Sequence, residues 1–385
     1  MRNRRTSAMR LFNPRYVFLD TATINYAADH PNYSTVVEFT KILNSGDWIA
    51  YITFHQLQEL ASHGNAEVVG RRLEFLAGLT NIAFPAGAGR FPTGDVISLR
   101  SFEIEFLAKH HAAAHEEVID AVRAKIRSGF NSGKQFVADN LGWIRHFRTF
   151  ELDKYQKQLA EVANATHFYV GDPKAKIPQK GQHINVPSNV EFEKRFAQSA
   201  QWLSEKMTNS GDLRGLNPEE FAYRFMHEAF TESRPLLQHG GDYFEALLAR
   251  DGVERNRLPQ KARVEDVIFE SIFVSSMRIY ARRLNRIKEE LLELVRKESV
   301  PSWLVWQEID RRLRQLPNAE TGNMHDKYAA SFGLYVDILN VDKRIADIIR
   351  QAARTYPLFK ILHERIPKRR GFDGLVLALR QKPLE

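Results

Sequence analysis

The sequence predicts an α/β fold in which a parallel sheet is flanked by helices and a long helical segment divides the chain. Three observations predict it. Short apolar, β-prone runs alternate with helical patterns over the first hundred residues, a helical period dominates from about residue 95 to 316, and the alternation then returns. Strands that alternate with helices are typical of βαβ units, whose strands lie parallel.

The first α/β part begins with an apolar run at 16–19, whose uninterrupted hydrophobicity predicts a strand buried on both faces. The elements expected after it are a helix over 34–43, a strand over 48–53, helices from 54 and over 71–79, and a short strand over 81–85. The late part is expected to contain a helix over 324–333, a strand over 334–339, a helix over 343–353 and a last strand over 359–362.

Between these parts the apolar residues recur at helical spacing. The expected helices cover 99–126, 134–165, 190–207, 218–230, 243–248, 264–295 and 303–316, and a polar, basic loop covers 171–181. The resulting domain prediction is a basic arm (1–14), a first α/β part (15–95), an all-helical insertion (96–320), a second α/β part (321–366) and a basic tail (367–385).

Composition limits the function classes. The 385 residues are 43% hydrophobic and 26% charged, as in globular proteins, and no apolar run is long enough to span a membrane. The absence of cysteine excludes disulfides, thiolate zinc sites and cysteine nucleophiles, and is compatible with a cytoplasmic protein. The net charge of +8 favours a polyanionic partner, although many basic proteins bind none. No phosphate-binding loop or serine nucleophile elbow occurs.

Four carboxylates recur at similar places in the pattern. Asp20 follows the first strand, Glu59 lies in the helix after the second, Asp326 begins a late helix and Asp342 follows the late strand. Because the carboxyl ends of parallel strands share one sheet edge, these acids are expected to converge. Such acids repel one another unless a cation or protons neutralise them, and oxygen ligands suit Mg²⁺ or Mn²⁺. For Asp20 alone, the competing interpretation is a helix cap.

In this order the acids resemble the pattern of the PIN-domain nucleases. The matching stretches are residues 18–21, residues 52–60 and the run from 325 to 344, and the resemblance covers roughly 15–84 and 323–362. It implies a PIN-like fold and a metal-dependent nuclease, usually one acting on RNA rather than DNA. It also makes a homodimer a candidate assembly. No partner protein can be identified from it.

The resemblance also implies roles for individual residues. Asp20, Asp326 and Asp342 would bind Mg²⁺ or Mn²⁺, with Glu59 as a further ligand or as the base that orients water. Thr21, Asn340 and Lys343 lie beside these acids in the matching stretches and are predicted to contact substrate. Asn340 departs from the family, which usually has Thr or Ser there.

A second set of substrate contacts is predicted in the helical segment. Arg278, Arg282 and Arg286 recur every four residues and would form a basic stripe suited to phosphates. The equally weighted alternative is a solvated face paired with Glu289 and Glu290. Two other functions stay open at this point: a PIN-like module that binds RNA or a partner without catalysis, and a metal phosphatase acting on a small substrate.

Overall fold

The computed structural model describes residues 15–87, 93–126, 129–167, 174–177, 189–237, 248–318 and 322–381. The basic arm 1–14, most of the loop 171–181 and all but the last residue of the helix expected at 243–248 lie outside these residues. The chain forms two compact units. The first comprises Met1–Leu152, Glu298–Asp310 and His325–Glu385, and the second comprises Asp153–Lys297 and Arg311–Met324.

The described chain is α/β and mainly helical. Its strands are β1 (Arg15–Phe18), β2 (Trp48–Tyr51), β3 (Ile82–Phe84), β4 (Gly129–Asn131) and β5 (Ile338–Leu339). Its helices are α1 (Thr21–Asp29), α2 (Ser34–Asn44), α3 (Phe54–Ala61), α4 (Ala66–Ala77), α5 (Val96–Leu107), α6 (His115–Lys125), α7 (Gly133–His146), α8 (Leu152–His167), α9 (Asn189–Ser210), α10 (Pro218–Leu237), α11 (Val264–Leu284), α12 (Lys288–Leu294), α13 (Pro301–Leu313), α14 (Gly322–Phe332), α15 (Lys343–Ala352), α16 (Pro357–Arg365) and α17 (Gly371–Gln381). None of them is both long and apolar enough to cross a membrane.

The sheet has the strand order β4-β3-β2-β1-β5. β1 pairs in parallel with β2 and β5, and β2 pairs in parallel with β3, so the expected parallel core is present. β4 is antiparallel to β3 and comes from within 96–320. The expectations of a wholly parallel sheet and of an entirely helical segment 96–320 are therefore wrong at β4, because three residues are too few to show a strand period.

The core of the first unit lies between the sheet and its helices. β1 and β2 are buried almost throughout, which agrees with their uninterrupted apolar character. Side chains from these strands pack against α1, α2 and α3, with Val17, Leu19, Ile24, Phe39 and Leu57 all at most 1% exposed. This packing fixes the points at which the strands end.

The last part of the chain is helical where a strand and a tail were expected. The strand predicted over 359–362 is wrong: α16 begins with Pro357, a residue that helices accept in their first turn, and buries Leu358, Phe359 and Leu362 on one face. The tail predicted over 367–385 is also wrong. α17 places Leu375 and Leu379 in the core, and Trp48 Nε1 donates a 2.9 Å hydrogen bond to the carbonyl of Leu379.

The helix expected over 99–126 is two helices. α5 ends near Ala108, and α6 restarts at His115 with Glu117 accepting a 2.9 Å hydrogen bond from the N–H of Ala114. This capping interaction favours a new helix start over continuation.

The second unit contains several smaller apolar clusters. One is formed by Leu203, Met207, Phe221 and Ala222 of α9 and α10. Another surrounds Val267 and Val274 of α11, which ends at Asn285 in the left-handed conformation.

Candidate functional site

The site is built where three strands of the first unit end. β1 leads through Leu19 into Asp20, β5 leads into Asn340, and β2 leads through Ile52 and Thr53 into α3. Because β1 lies between β2 and β5 with parallel pairing on both sides, these three exits share one edge of the sheet. We call Asp20, Glu59, Asp326 and Asp342 the sheet-edge acids.

Two amide side chains fasten the neighbouring strand exits to β1. The Asn340 side-chain oxygen accepts hydrogen bonds from the N–H of Asp20 at 3.1 Å and from the hydroxyl of Thr23 at 2.6 Å. On the other side, the Gln56 amide donates to the carbonyl of Leu19 and its oxygen accepts from the N–H of Thr53 at 2.7 Å. Hydrogen bonds from neutral amide side chains therefore hold the three strand exits together.

Glu59 is oriented by the helix that follows β1. The hydroxyl of Thr21, which is 4% exposed, donates a 2.8 Å hydrogen bond to Glu59 Oε2. The structure thus assigns the Thr21 hydroxyl to an acid of the site. Its predicted contact with substrate stays a prediction.

Asp20 stands at the N-cap position of α1, but its side chain makes no capping hydrogen bond. The N–H groups of Thr21 and Ala22 at the start of α1 nevertheless stabilise the ionised carboxylate, so the capping interpretation stays open beside the metal-binding one. Burial, together with the negative charges of Glu59 and Asp342, raises the pKa of Asp20 to about 7. The backbone N–H groups of Thr21 and Ala22 oppose this rise.

Asp326 is in a similar environment. Burial is the main cause that raises its pKa to about 8, and Asp342, Asp20 and Glu59 raise it further. Arg344 acts in the opposite direction, since its Nη2 lies 3.0 Å from Asp326 Oδ2. The mutual influence of these charges places all four acids in one electrostatic neighbourhood.

Asp342 has two tasks at the start of α15. Its Oδ1 accepts a 2.7 Å hydrogen bond from the N–H of Ile345, so it caps the helix. Its Oδ2 lies 3.8 Å from Nη2 of Arg344, the nitrogen that also contacts Asp326. The ion pairs described for the sheet-edge acids both come from Arg344.

The chemistry of these groups fits a hard cation, but their spacing does not form a closed site. Carboxylate oxygens are the ligands that Mg²⁺ and Mn²⁺ prefer. Among the residues that the structure describes, no three His, Asp or Glu side chains lie close enough together to hold a metal ion as they stand. Arg344 occupies the space between two of the acids instead.

A cleft of about 580 Å³ opens beside the acids. Asp20, Asn340, Asp342 and Lys343 line one part of it, and the segment before α17 lines the other. Lys343, predicted as a substrate contact, is exposed in this cleft.

The other predicted substrate contacts lie in the second unit. Arg278 and Arg282 are exposed on α11. Arg286 is exposed too, but it follows the left-handed Asn285 and is not part of the helix, so the stripe is shorter than its spacing implies. Binding of nucleic acid by these arginines stays a prediction.

Three contributors to the site were not identified from the sequence. Thr53 and Gln56 form a T-x-x-Q capping box, which is a readable signal for a helix start. Arg344 lies two residues after Asp342, but its contact with Asp326 depends on how α14 and α15 pack.

Comparisons with known proteins give no relative. No protein-family model matches the chain, no curated protein matches it, and no solved structure matches it.

Proposed function

We propose that this protein is a metal-dependent nuclease of the PIN-like type, which hydrolyses phosphodiester bonds in RNA. The observation that carries the proposal is the charge imbalance at the sheet edge. Four carboxylates influence one another there, and the two ion pairs described for them both use Arg344. A partly buried cluster of carboxylates is costly to ionise, and a divalent cation would remove this cost without protonating the acids.

In this proposal Asp20, Asp326 and Asp342 hold Mg²⁺ or Mn²⁺. Such an ion, when bound, would lower the pKa of a water and would stabilise charge on the phosphate oxygens. Glu59, held by the Thr21 hydroxyl, would orient the attacking water or accept its proton. Asn340 keeps the exits of β1 and β5 together, so that Asp20 and Asp342 stay beside the same cleft.

Arg344 also supports a second candidate function, a nucleic-acid-binding module without catalysis. By contacting Asp326 and Asp342 it does part of what a metal ion would do. This candidate predicts RNA binding that falls with salt and is unaffected by EDTA.

Cleavage of end-labelled single-stranded RNA and DNA with Mg²⁺ or Mn²⁺ tests the proposal. We expect Asp20→Asn and Asp342→Asn to lower the rate at least about a hundredfold, since replacing even the groups that support metal ligands costs ten- to a hundredfold. Asp29→Asn is the matched control, because Asp29 ends the same helix α1 and pairs with the exposed Arg71.

Two results would count against the nuclease. The first is cleavage by both acid variants at the rate of the control, which would show that these acids take no part in the chemistry. Alternatively, the folded protein, with its thermal transition intact, cleaves neither polymer but binds RNA in EDTA. That result favours the binding module.

A further inference from the structure

The cleft beside the sheet-edge acids has a second wall that the sequence did not indicate. Besides Asp20 and Asp342, its lining includes Tyr26 of α1, Arg369 and Arg370 of the segment before α17, and Phe372 of α17. Its volume of about 580 Å³ lies within the range of ligand-binding clefts. The wall combines aromatic rings with cationic side chains.

The aromatic rings form a connected group that reaches beyond the cleft. The Tyr26 ring lies 4.8 Å from the rings of both Phe372 and His30, and His30 stacks on Tyr33 at 4.7 Å with the planes 17° apart. Tyr26 is 38% exposed and Tyr33 is 55% exposed. Partly exposed aromatic rings that neighbouring rings hold in place are suited to stacking on a flat ligand.

Cationic side chains line the same cleft, together with the carboxylates of Asp20, Asp342 and Asp373. Lys343, Arg369 and Arg370 are all exposed. Arg370 is engaged by Asp347 at 2.7 Å, whereas no ion pair is described for Arg369. Lys343 and Arg369 are therefore the better candidates for contacts with phosphate.

This wall is fixed in place by the fold. Gly371 has φ +78°, which lets the chain turn sharply into α17. A Cβ atom at Gly374 would lie 2.2 Å from the carbonyl oxygen of Arg369, so only glycine allows the helix to pack this closely on the segment. Leu375 and Leu379 then anchor α17 in the core.

We propose that this cleft binds a segment of single-stranded polynucleotide, with bases on Tyr26 and Tyr33 and phosphates at Lys343 and Arg369. The inference rests on the proposed function, because it names the substrate class and the track of the same site. The strand must be unpaired, since a base within a duplex has no free face to stack. It must be a polymer, because Tyr33 and His30 continue the aromatic surface outside the cleft.

Binding is measured without cleavage, so that it is tested separately from catalysis. The full chain in EDTA is titrated into a fluorescein-labelled ten-nucleotide oligouridylate and into a duplex RNA of equal length, and anisotropy is recorded. We expect Tyr33→Ala and Tyr26→Leu each to weaken single-strand binding roughly five- to a hundredfold. Tyr26→Leu keeps an apolar contact with Phe372. Tyr223→Ala, at an aromatic residue of α10 that is 61% exposed, is the matched control.

The cationic contacts have their own readout. Arg369→Ala is expected to reduce the slope of log Kd against log salt by about 0.7, the value for one lost phosphate contact on a single strand. Arg354→Ala is the control, because Arg354 is exposed just after α15 and does not line the cleft.

Three outcomes would overturn the inference: the wild-type chain binds no oligonucleotide, duplex RNA binds as tightly as the single strand, or the cleft variants bind like their controls. Binding that depends on the cleft, from a protein that never cleaves with Mg²⁺ or Mn²⁺, keeps this inference and refutes the nuclease. Cleavage that depends on Asp20 but is unaffected by the cleft variants supports the nuclease and refutes this inference.

Discussion

The sheet-edge acids of the first unit and Glu270 of the second unit show two opposite ways of placing carboxylates in a protein. Glu270 is 1% exposed and contacts two cations, Arg257 at 2.6 Å and Lys297 at 2.6 Å. At the sheet edge Arg344 contacts two of the four carboxylates, Asp326 and Asp342. Glu59 interacts electrostatically with Arg72, but no ion pair is described for Asp20 or Glu59. One acid with two cations joins pieces of the fold, whereas the four sheet-edge acids are only partly neutralised by the ion pairs described.

The neighbours of Glu270 explain its role. Arg257, in a short 3₁₀ turn, also donates to the carbonyl of Leu292 at 2.6 Å, and Lys297 comes from another 3₁₀ turn. Glu270 on α11 therefore ties two irregular segments to a helix. Both cations are nearly as buried as the acid, so none of the three charges is well solvated.

The largest effect on stability is therefore expected at Glu270. Glu270→Gln keeps the shape of the side chain but leaves two buried cations without their counter-charge, and should lower the free energy of unfolding by about 3–5 kcal/mol. Urea titration followed by circular dichroism measures it, with Glu289→Gln on the exposed face of α12 as control. If Glu270→Gln loses no more stability than the control, the Glu270 ion pairs do not stabilise the fold, and the two regions do not differ in this respect.

At the sheet edge, in contrast, removing the charge of a carboxylate is expected to raise the free energy of unfolding. In the metal-free protein Asp20 has a pKa of about 7, above its ordinary value of 3.8, so the folded state binds the proton more tightly than the unfolded state does. The fold consequently loses stability as pH rises from about 4 to about 7. Asp20→Asn removes this loss and should be more stable than wild type by about 2–4 kcal/mol at pH 8, with little difference at pH 4.

Thermal unfolding at both pH values, in EDTA and in Mg²⁺, measures this effect, and Asp29→Asn again serves as the control. Mg²⁺ should stabilise the wild type and leave Asp20→Asn nearly unchanged. A variant that is less stable than wild type at pH 8 in EDTA would mean that Asp20 is a satisfied structural group after all.

Much of the framework of this region could be predicted from the sequence. The runs at 16–19 and 48–53 are apolar without interruption and end on polar residues, so both the parallel core and the exits of its strands were readable. Asp20 and Asp342 follow predicted strands directly, and in the structure they influence Glu59 and Asp326 electrostatically. The local sequence pattern was sufficient to predict these strands, because a strand that is buried on both faces must be apolar throughout.

The remainder depends on contacts that no local pattern shows. The basic residues at 368–370 suggested a tail and obscured the apolar spacing of α17, whose Gly374 packs closely against Arg369. β4 is a strand because β3 offers an unpaired edge. The aromatic wall joins α1 to α17, which are separated by more than 300 residues, and the Arg344 contact likewise requires two helices to meet.

The smallest expected effect concerns Arg344 itself. If it neutralises acids that otherwise hold a metal ion, a cation that binds there must overcome its charge. Arg344→Gln should then bind Mn²⁺ about tenfold more tightly, which is a coupling of about 1.4 kcal/mol, within the usual range for two sites that share groups. Isothermal titration at pH 8 measures the Mn²⁺ affinity. Arg344→Lys keeps the charge but loses the fork that contacts both acids, so its affinity should lie between those of wild type and Arg344→Gln. If Arg344→Gln binds Mn²⁺ no better than wild type, Arg344 has a structural role and does not compete with a metal ion for the acids. A variant and a wild type that both fail to bind Mn²⁺ would make Arg344 the permanent counter-ion, so that the sheet edge resembles the Glu270 region and the binding module becomes the better account of the protein.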